Sequence, residues 1–389
     1  MLNSSNKGLI VVVFLLSFLA SFSQEEKKWS FKENVVLDGY LKYLSTASFS
    51  NSSNLMTNNI IHNRINAKVY LSDKLTTKVA LRNRLIYGEV VKLTPNYGTL
   101  ISQDEGVRDF SILWVDDSAV VLHTIIDRAY LDYAFKKWQI RVGRQRINWG
   151  INLAWNTNDL FNTYNIVNFD YEEKAGTDAV RIQYYFKKAN IDVAYRPGKD
   201  LDHSVIAGLY KFNKWKYDIQ LLGANYYEDI ALGAGWAGNI KKAGFKGEAS
   251  FFQNKTTANN LTTVSTSVDY FFKKGMYLNV SALYTSDGQN SFNPSALAFA
   301  SSSLSAKTLM PTKYSSLVQV SQEVNPRLKA SFTAIYGFGM NILFAMPSVA
   351  FSIQENWDID LTGQLFYAEV QNDFKNLNNS LFLRLRYSY

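Results

Sequence analysis

Residues 60–71, IIHNRINAKVYL, set Ile61, Ile65, Ala67, Val69 and Leu71 on one side of an extended chain and His62, Arg64, Asn66, Lys68 and Tyr70 on the other. After the turn Ser72-Asp73-Lys74 the alternation resumes, with Leu75, Val79, Leu81, Leu85 and Tyr87 interleaved among Thr76, Lys78, Ala80, Arg82 and Arg84. The pair reads as a hairpin with one apolar and one strongly basic face. Segments of about ten residues with the same period recur to the end of the chain, among them AVRIQYYF, YLNVSALY, RLKASFTAIY and WDIDLTGQLFY. About ten residues is what a tilted strand needs to cross a bilayer. An arginine facing lipid near the midplane costs roughly 2–4 kcal/mol, so the apolar faces belong to lipid and the basic faces to an enclosed lumen.

The aromatic content has the same implication. Aromatic residues make up 15% of the chain, with 24 Tyr, 25 Phe and 8 Trp, more than a soluble core of this size requires. Several sit just before a lysine pair in short turns: YAFKKW at 133–138, YYFKKA at 184–189 and YFFKKG at 270–275. That order is expected where strands leave the hydrocarbon through an aromatic girdle into water. The formal charge of +8 divides between these turn lysines and the lumen arginines, so no basic stripe exists for nucleic acid.

At the N-terminus Lys7 precedes the apolar run Gly8 to Ala20, and the small residues Ser21 and Ser23 follow. We read residues 1–23 as a cleaved signal peptide, and 24–389 as a single barrel domain. Downstream of Gln24 no apolar run approaches a membrane-spanning helix, and the chain has no cysteine, so export brings no disulfides.

The last ten residues, SLFLRLRYSY, alternate Leu381, Leu383, Leu385, Tyr387 and Tyr389 with Phe382, Arg384, Arg386 and Ser388. A closed barrel pairs its last strand with its first and leaves no free edge in lipid. The ending resembles the C-terminal aromatic signal of bacterial outer-membrane barrels, which implies that Leu385, Tyr387 and Tyr389 are read by the barrel-assembly machinery. Counting hairpins predicts an all-β fold, a transmembrane antiparallel β-barrel of about 16–18 strands in the outer membrane of a Gram-negative bacterium. Long extracellular connections are expected at 45–59, 91–121, 148–176, 286–312 and 369–377, alternating with short periplasmic turns.

One segment stands apart, Ile140 to Tyr185. Gly143-Arg144-Gln145, then Trp149-Gly150 and Asn158-Asp159, resemble the segment of alginate-export-like and related outer-membrane porins in which a strand leads into a long loop. The resemblance implies a porin and names no substrate for this chain. Read from the residues, loop 148–176 carries Asp159, Asp170, Glu172 and Glu173 against Lys174, and loop 91–121 is acidic too. The wall expected to line the lumen carries Arg64, Lys68, Lys78, Arg82, Arg84, Arg128, Arg141, Arg181, Arg384 and Arg386. An acidic loop folded inward against that wall sets a transverse field across a constriction, which selects ions and orients dipolar solutes. Loop 148–176 is the favoured candidate, and its Trp149 and Trp155 either stack on sugar rings or anchor the loop to the wall.

These features predict an outer-membrane porin passing small hydrophilic solutes, anions or saccharides, with outer-membrane lipid and lipopolysaccharide as its surroundings. The alternative is a plugged barrel serving structure or an export or capsule machine. No enzyme, cofactor or metal is expected: the three histidines, His62, His123 and His203, show no spacing to a nucleophile or to one another. Association as a homotrimer is left open by the sequence, since every barrel has flat apolar outer walls.

Overall fold

The computed structural model describes residues 29–49, 55–104, 106–163, 176–257, 259–291 and 304–389. Residues 1–23, read above as a signal peptide, lie outside them. The first strands are β1 (Val35–Phe49), β2 (Met56–Tyr70), β3 (Leu75–Tyr87), β4 (Ser111–Asp116), β5 (Val120–Phe135), β6 (Trp138–Gln145), β7 (Thr177–Tyr185), β8 (Ala189–Arg196) and β9 (Val205–Lys214). They continue as β10 (Tyr217–Tyr226), β11 (Asp229–Ile240), β12 (Ala243–Asn254), β13 (Asn260–Phe271), β14 (Met276–Thr285), β15 (Tyr314–Asn325), β16 (Leu328–Phe338), β17 (Ile342–Gln354), β18 (Trp357–Val370) and β19 (Asp373–Ser388). Every neighbour pair is antiparallel, β3 pairs directly with β5, and β1 closes on β19 with Lys42 opposite Arg386. Setting aside β4, which borders only β5, eighteen of the nineteen strands form the closed wall. Closure leaves no strand edge to be satisfied in hydrocarbon.

The parity of the faces is as expected. On β19 Leu381 and Leu383 are exposed, and on β2 so are Ile61 and Ile65, whereas Arg64 between them is 1% exposed. The apolar outer wall lies in the bacterial outer membrane, and its polar counterpart lines an interior. Girdle aromatics pack on one another at the short turns: Trp138 lies edge-on to Tyr184 with ring centres 4.6 Å apart, and Tyr184 to Phe186 at 4.7 Å. Among the described residues no helix is long and apolar enough to cross a membrane, so strands do all of the spanning.

Two connections differ from expectation. Residues 369–377 do not form a long loop: β18 and β19 run on to a two-residue turn at Gln371-Asn372, both left-handed with φ of 54° and 66°. Such a turn favours Asn and matches the strand twist. The polar run NDFKNLNN looks like loop, but above the hydrocarbon a strand needs no apolar face. In the same way β1 and β2 extend well into 45–59, leaving only 50–55 as their connection. The connections after β3, β6 and β14 are long, as read.

The core of this molecule lies inside the barrel, where the long loops meet the wall. Ile147, Trp149, Leu160 and Phe161 pack on inward residues of β7 to β12, among them Ala194, Leu209 and Phe252. Ala154 and Trp155 join Leu309 and Met310 of the β14–β15 connection against Leu317, Ile335 and Phe344. Packing rather than chain length therefore decides where these loops go.

Gly143 marks the turn-off point of the first of them. Its φ is +119°, and a Cβ there meets the Ala129 carbonyl oxygen at 2.2 Å. Backbone strain of this kind costs ~1–3 kcal/mol before the clash is added. Gly143→Ala is therefore expected to lower the temperature at which the barrel loses its heat-modifiable electrophoretic mobility. An unchanged midpoint would mean that the strand end adapts freely.

Candidate functional site: the lumen and its inserted loop

The connection after β6 enters the lumen and is held there by side chains of the wall. Its backbone has no strand to pair with, and buried amides must find acceptors somewhere. Glu248 of β12, fully buried, supplies acceptors for three of them: the amides of Ile151 and Asn152 donate to one of its carboxylate oxygens and that of Asn158, at 2.9 Å, to the other. Asn158 itself donates to the Ala234 carbonyl at 3.0 Å and accepts from Ser250 at 2.8 Å. Asn152 donates to Ser265 at 2.9 Å. The Trp149 indole donates to Asp192 of β8 at 2.9 Å, and its carbonyl accepts from Gln220 of β10 at 3.0 Å. All of the partner side chains, Glu248, Ser250, Ser265, Asp192 and Gln220, are at inward positions, and with the packing of Trp155 the loop spans the interior from β8 across to the β14–β17 side.

Trp149 and Trp155 are both buried to within 1%, so neither offers a free ring face, and both anchor the loop. Asp159 lies on the same buried stretch. Asp170, Glu172 and Glu173 fall outside the described residues. In loop 91–121 Asp104 serves the loop itself: it pairs with Arg144 at 2.6 Å and accepts the Phe110 amide at 2.8 Å, while Glu105 falls outside the described residues.

The basic wall is present and continuous. At positions 40–46, 62–68, 78–84 and 382–388 the inward side chains include Lys42, Arg64, Lys68, Lys78, Arg82, Arg84, Arg384 and Arg386, with no carboxylate among them. Cross-strand register sets Lys42 beside both Arg386 and His62, His62 beside Arg84, and Arg64 beside Arg82. Like charges directly opposed repel. Neighbouring strands supply the relief.

Aspartates of the wall itself provide it, and the sequence reading passed over them. A bulge in β5 opposite Ala80/Leu81 turns both Asp127 and Arg128 inward. Asp127 then reaches Arg64 at 2.6 Å and Arg82 at 3.2 Å, while Arg128 donates to the Asp127 carbonyl at 2.7 Å. Asp360 pairs with Arg384 at 2.9 Å, Asp192 with Arg181 at 3.0 Å, and Asp132 with Arg141. Arg84 sits 2.9 Å from His123 Nδ1 and donates to the Ile101 carbonyl at 3.2 Å. Arg386 lies over the Tyr40 ring and Lys68 over Tyr70. Among the described residues, then, the carboxylates opposing Arg64, Arg82, Arg141, Arg181 and Arg384 come from strands of the wall rather than from an inserted acidic loop. The signal was available: Asp-Arg at 127–128 breaks the alternation, and Asp132, Asp192 and Asp360 share inward parity with arginines.

The Gly-Arg-Gln motif proves to be a joint. Arg144 binds Asp104 and Asp178, donates to the Arg108 carbonyl at 2.8 Å and stacks over Phe110, where β6 ends and β4 becomes the neighbour of β5. Gln145, fully buried, donates to the Ala179 carbonyl at 2.9 Å. Arg144→Met is expected to free residues 104–110 for limited proteolysis of intact cells while the barrel stays heat-modifiable. Equal protease resistance would show that the loop is held elsewhere.

No family model matches the chain, and neither does any curated protein. Solved structures do resemble it. Pseudomonas aeruginosa OpdK with vanillate superposes with a TM-score of 0.58 at 9% identity, over 92% of this chain and 99% of that one. P. aeruginosa OprD gives 0.57 at 9% identity, over 92% and 95% of the two chains. Acinetobacter baumannii OccAB4 gives 0.55 at 8% identity, over 92% and 98%. At such identities the likeness is one of fold: the closed antiparallel barrel of outer-membrane porins.

Proposed function

We propose that the chain is a passive outer-membrane channel for small hydrophilic solutes with a preference for anions. The observation that carries this reading is the inward column of Arg82, Arg84, Arg64, Lys42, Arg386 and Arg384, on neighbouring strands of one sector of the lumen. Rings and walls of one charge sign inside a low-dielectric tube set ion selectivity. Asp127 and Asp360 offset part of that charge and hold the guanidinium groups in place. The inserted loop narrows the passage, so solutes travel close to the column. The vanillate of the OpdK structure is a carboxylate, a charge type such a column attracts.

Proteoliposome swelling tests the reading. Isosmotic solutions of a small carboxylate should drive faster swelling than those of an ammonium solute of equal size. Equal rates would remove the anion preference, and absence of swelling from a heat-modifiable barrel would favour the plugged alternative, which the deep insertion of 147–163 makes physically reasonable.

For assembly, we infer that Leu385, Tyr387 and Tyr389 form the outward signal of the last strand. Tyr389 also closes the seam: its amide donates to the Gly39 carbonyl at 3.0 Å, its hydroxyl to that of Arg64 at 3.0 Å, and its ring covers Gly39, whose hypothetical Cβ lies 2.9 Å from it. An aromatic ring shielding a strand glycine is a known device for fixing register. Tyr389→Ala should reduce the amount of folded barrel in the outer membrane, whereas undiminished levels would remove the residue from the signal.

A further inference from the structure

Adjoining the basic column at Arg384, the lumen holds a cavity of about 340 Å³ between the inserted loop and β14–β19, within the size range of small-molecule sites. Its chemistry differs from that of the column. Six uncharged polar side chains line it: Asn279, Gln319, Ser331, Thr333, Ser348 and Thr362. They form a continuous patch, because register sets Asn279 beside Gln319, Gln319 beside Thr333, Ser331 beside Ser348, and Ser348 beside Thr362. Strand spacing of about 4.8 Å fixes the pitch of these groups.

Resting on the channel reading, we propose that this cavity is a subsite for a neutral sugar ring. A hydroxyl or carboxamide both donates and accepts, as does every sugar hydroxyl, whereas arginine and lysine only donate. The charged groups of the cavity, Asp360 and Arg384, are paired to each other at 2.9 Å, so Arg384, the end member of the column, brings little net charge to this side. The third element is apolar. Leu153, on the inserted loop, is 41% exposed although it lies inside the barrel, and it gives the cavity, whose floor includes the buried Leu317 and Met346, an apolar surface for the C–H face of a ring. A lumen built only to pass ions has no use for an exposed leucine at that place. The loop therefore does more than narrow the passage: its Leu153 and the wall hydroxyls form the two sides of one site.

The test uses the full-length barrel in detergent with D-glucose as the probe, read by saturation-transfer NMR, and sodium gluconate as the charged comparison. Glucose protons should receive saturation from the wild type. Binding should weaken about tenfold in Thr333→Val/Ser348→Ala, which removes two hydroxyls, and also in Leu153→Ser. Thr362→Val serves as the milder variant should the double one misfold, with heat-modifiable mobility checking each barrel. Absence of transfer to glucose, equal transfer in all variants, or transfer to gluconate alone would overturn the subsite. Planar-bilayer conductance of the same samples separates the two readings. An open channel that ignores glucose defeats the subsite and leaves the channel, whereas a silent barrel that still binds glucose defeats the channel and leaves the subsite.

Discussion

Replacing Glu248 by alanine is expected to raise the single-channel conductance several-fold and to make it noisy. The carboxylate takes three backbone amides of the inserted loop while itself fully buried. Alanine leaves those donors in the interior without their acceptor, at about 1–3 kcal/mol each. Together that opposes what the bonds of Trp149, Asn152 and Asn158 and the apolar packing still hold, so the loop is expected to loosen from the wall and the passage to widen. Glu248→Gln, which keeps one good acceptor, should give an intermediate channel. A Glu248→Ala channel with wild-type conductance and noise would show that Trp149, Trp155 and their apolar packing suffice to fix the loop, and that Glu248 is incidental.

The second large effect concerns charge. In Arg82→Gln/Arg84→Gln the anion preference should collapse, because two adjacent cations leave the column while Asp127 keeps its partner Arg64 at 2.6 Å and the wall stays folded. The reversal potential in a salt gradient should move most of the way to zero or cross it. Substituting Arg181 and Arg141, which are matched by Asp192 and Asp132 on adjoining strands, should move it much less. If the two double variants behave alike, selectivity follows total lumen charge rather than the column. Electrostatic effects of this kind weaken as salt rises, so the difference should be largest in dilute electrolyte.

The barrel was legible in the sequence because its physics is written at every second residue. Ile61, Ile65, Leu381 and Leu383 face lipid and Arg64, Arg82, Arg384 and Arg386 face inward, as period 2 requires. The lysine turns at 136–137 and 273–274 were legible too, since girdle rings and charged turns leave a compositional mark. What escaped is what period 2 does not encode. Asp127 reaches the lumen through a bulge, and a bulge appears in a sequence only as a broken alternation. The pairings of Asp192 with Arg181 and Asp360 with Arg384 depend on which strands adjoin in register, which parity alone leaves open. Residues 369–377 looked like loop because strands above the hydrocarbon lose their apolar face. The loop after β6 was expected inside for its length and aromatic content. The grip that holds it, Glu248 under three amides, comes from a strand some ninety residues away and has no local signature.

An anion-preferring pore is tested most directly by single-channel recording of the purified mature barrel in a planar bilayer, with the reversal potential measured across a potassium chloride gradient. Steady openings whose reversal potential lies on the chloride side are the predicted result. Cation-selective openings, or silence from a barrel that is folded and heat-modifiable, would contradict it.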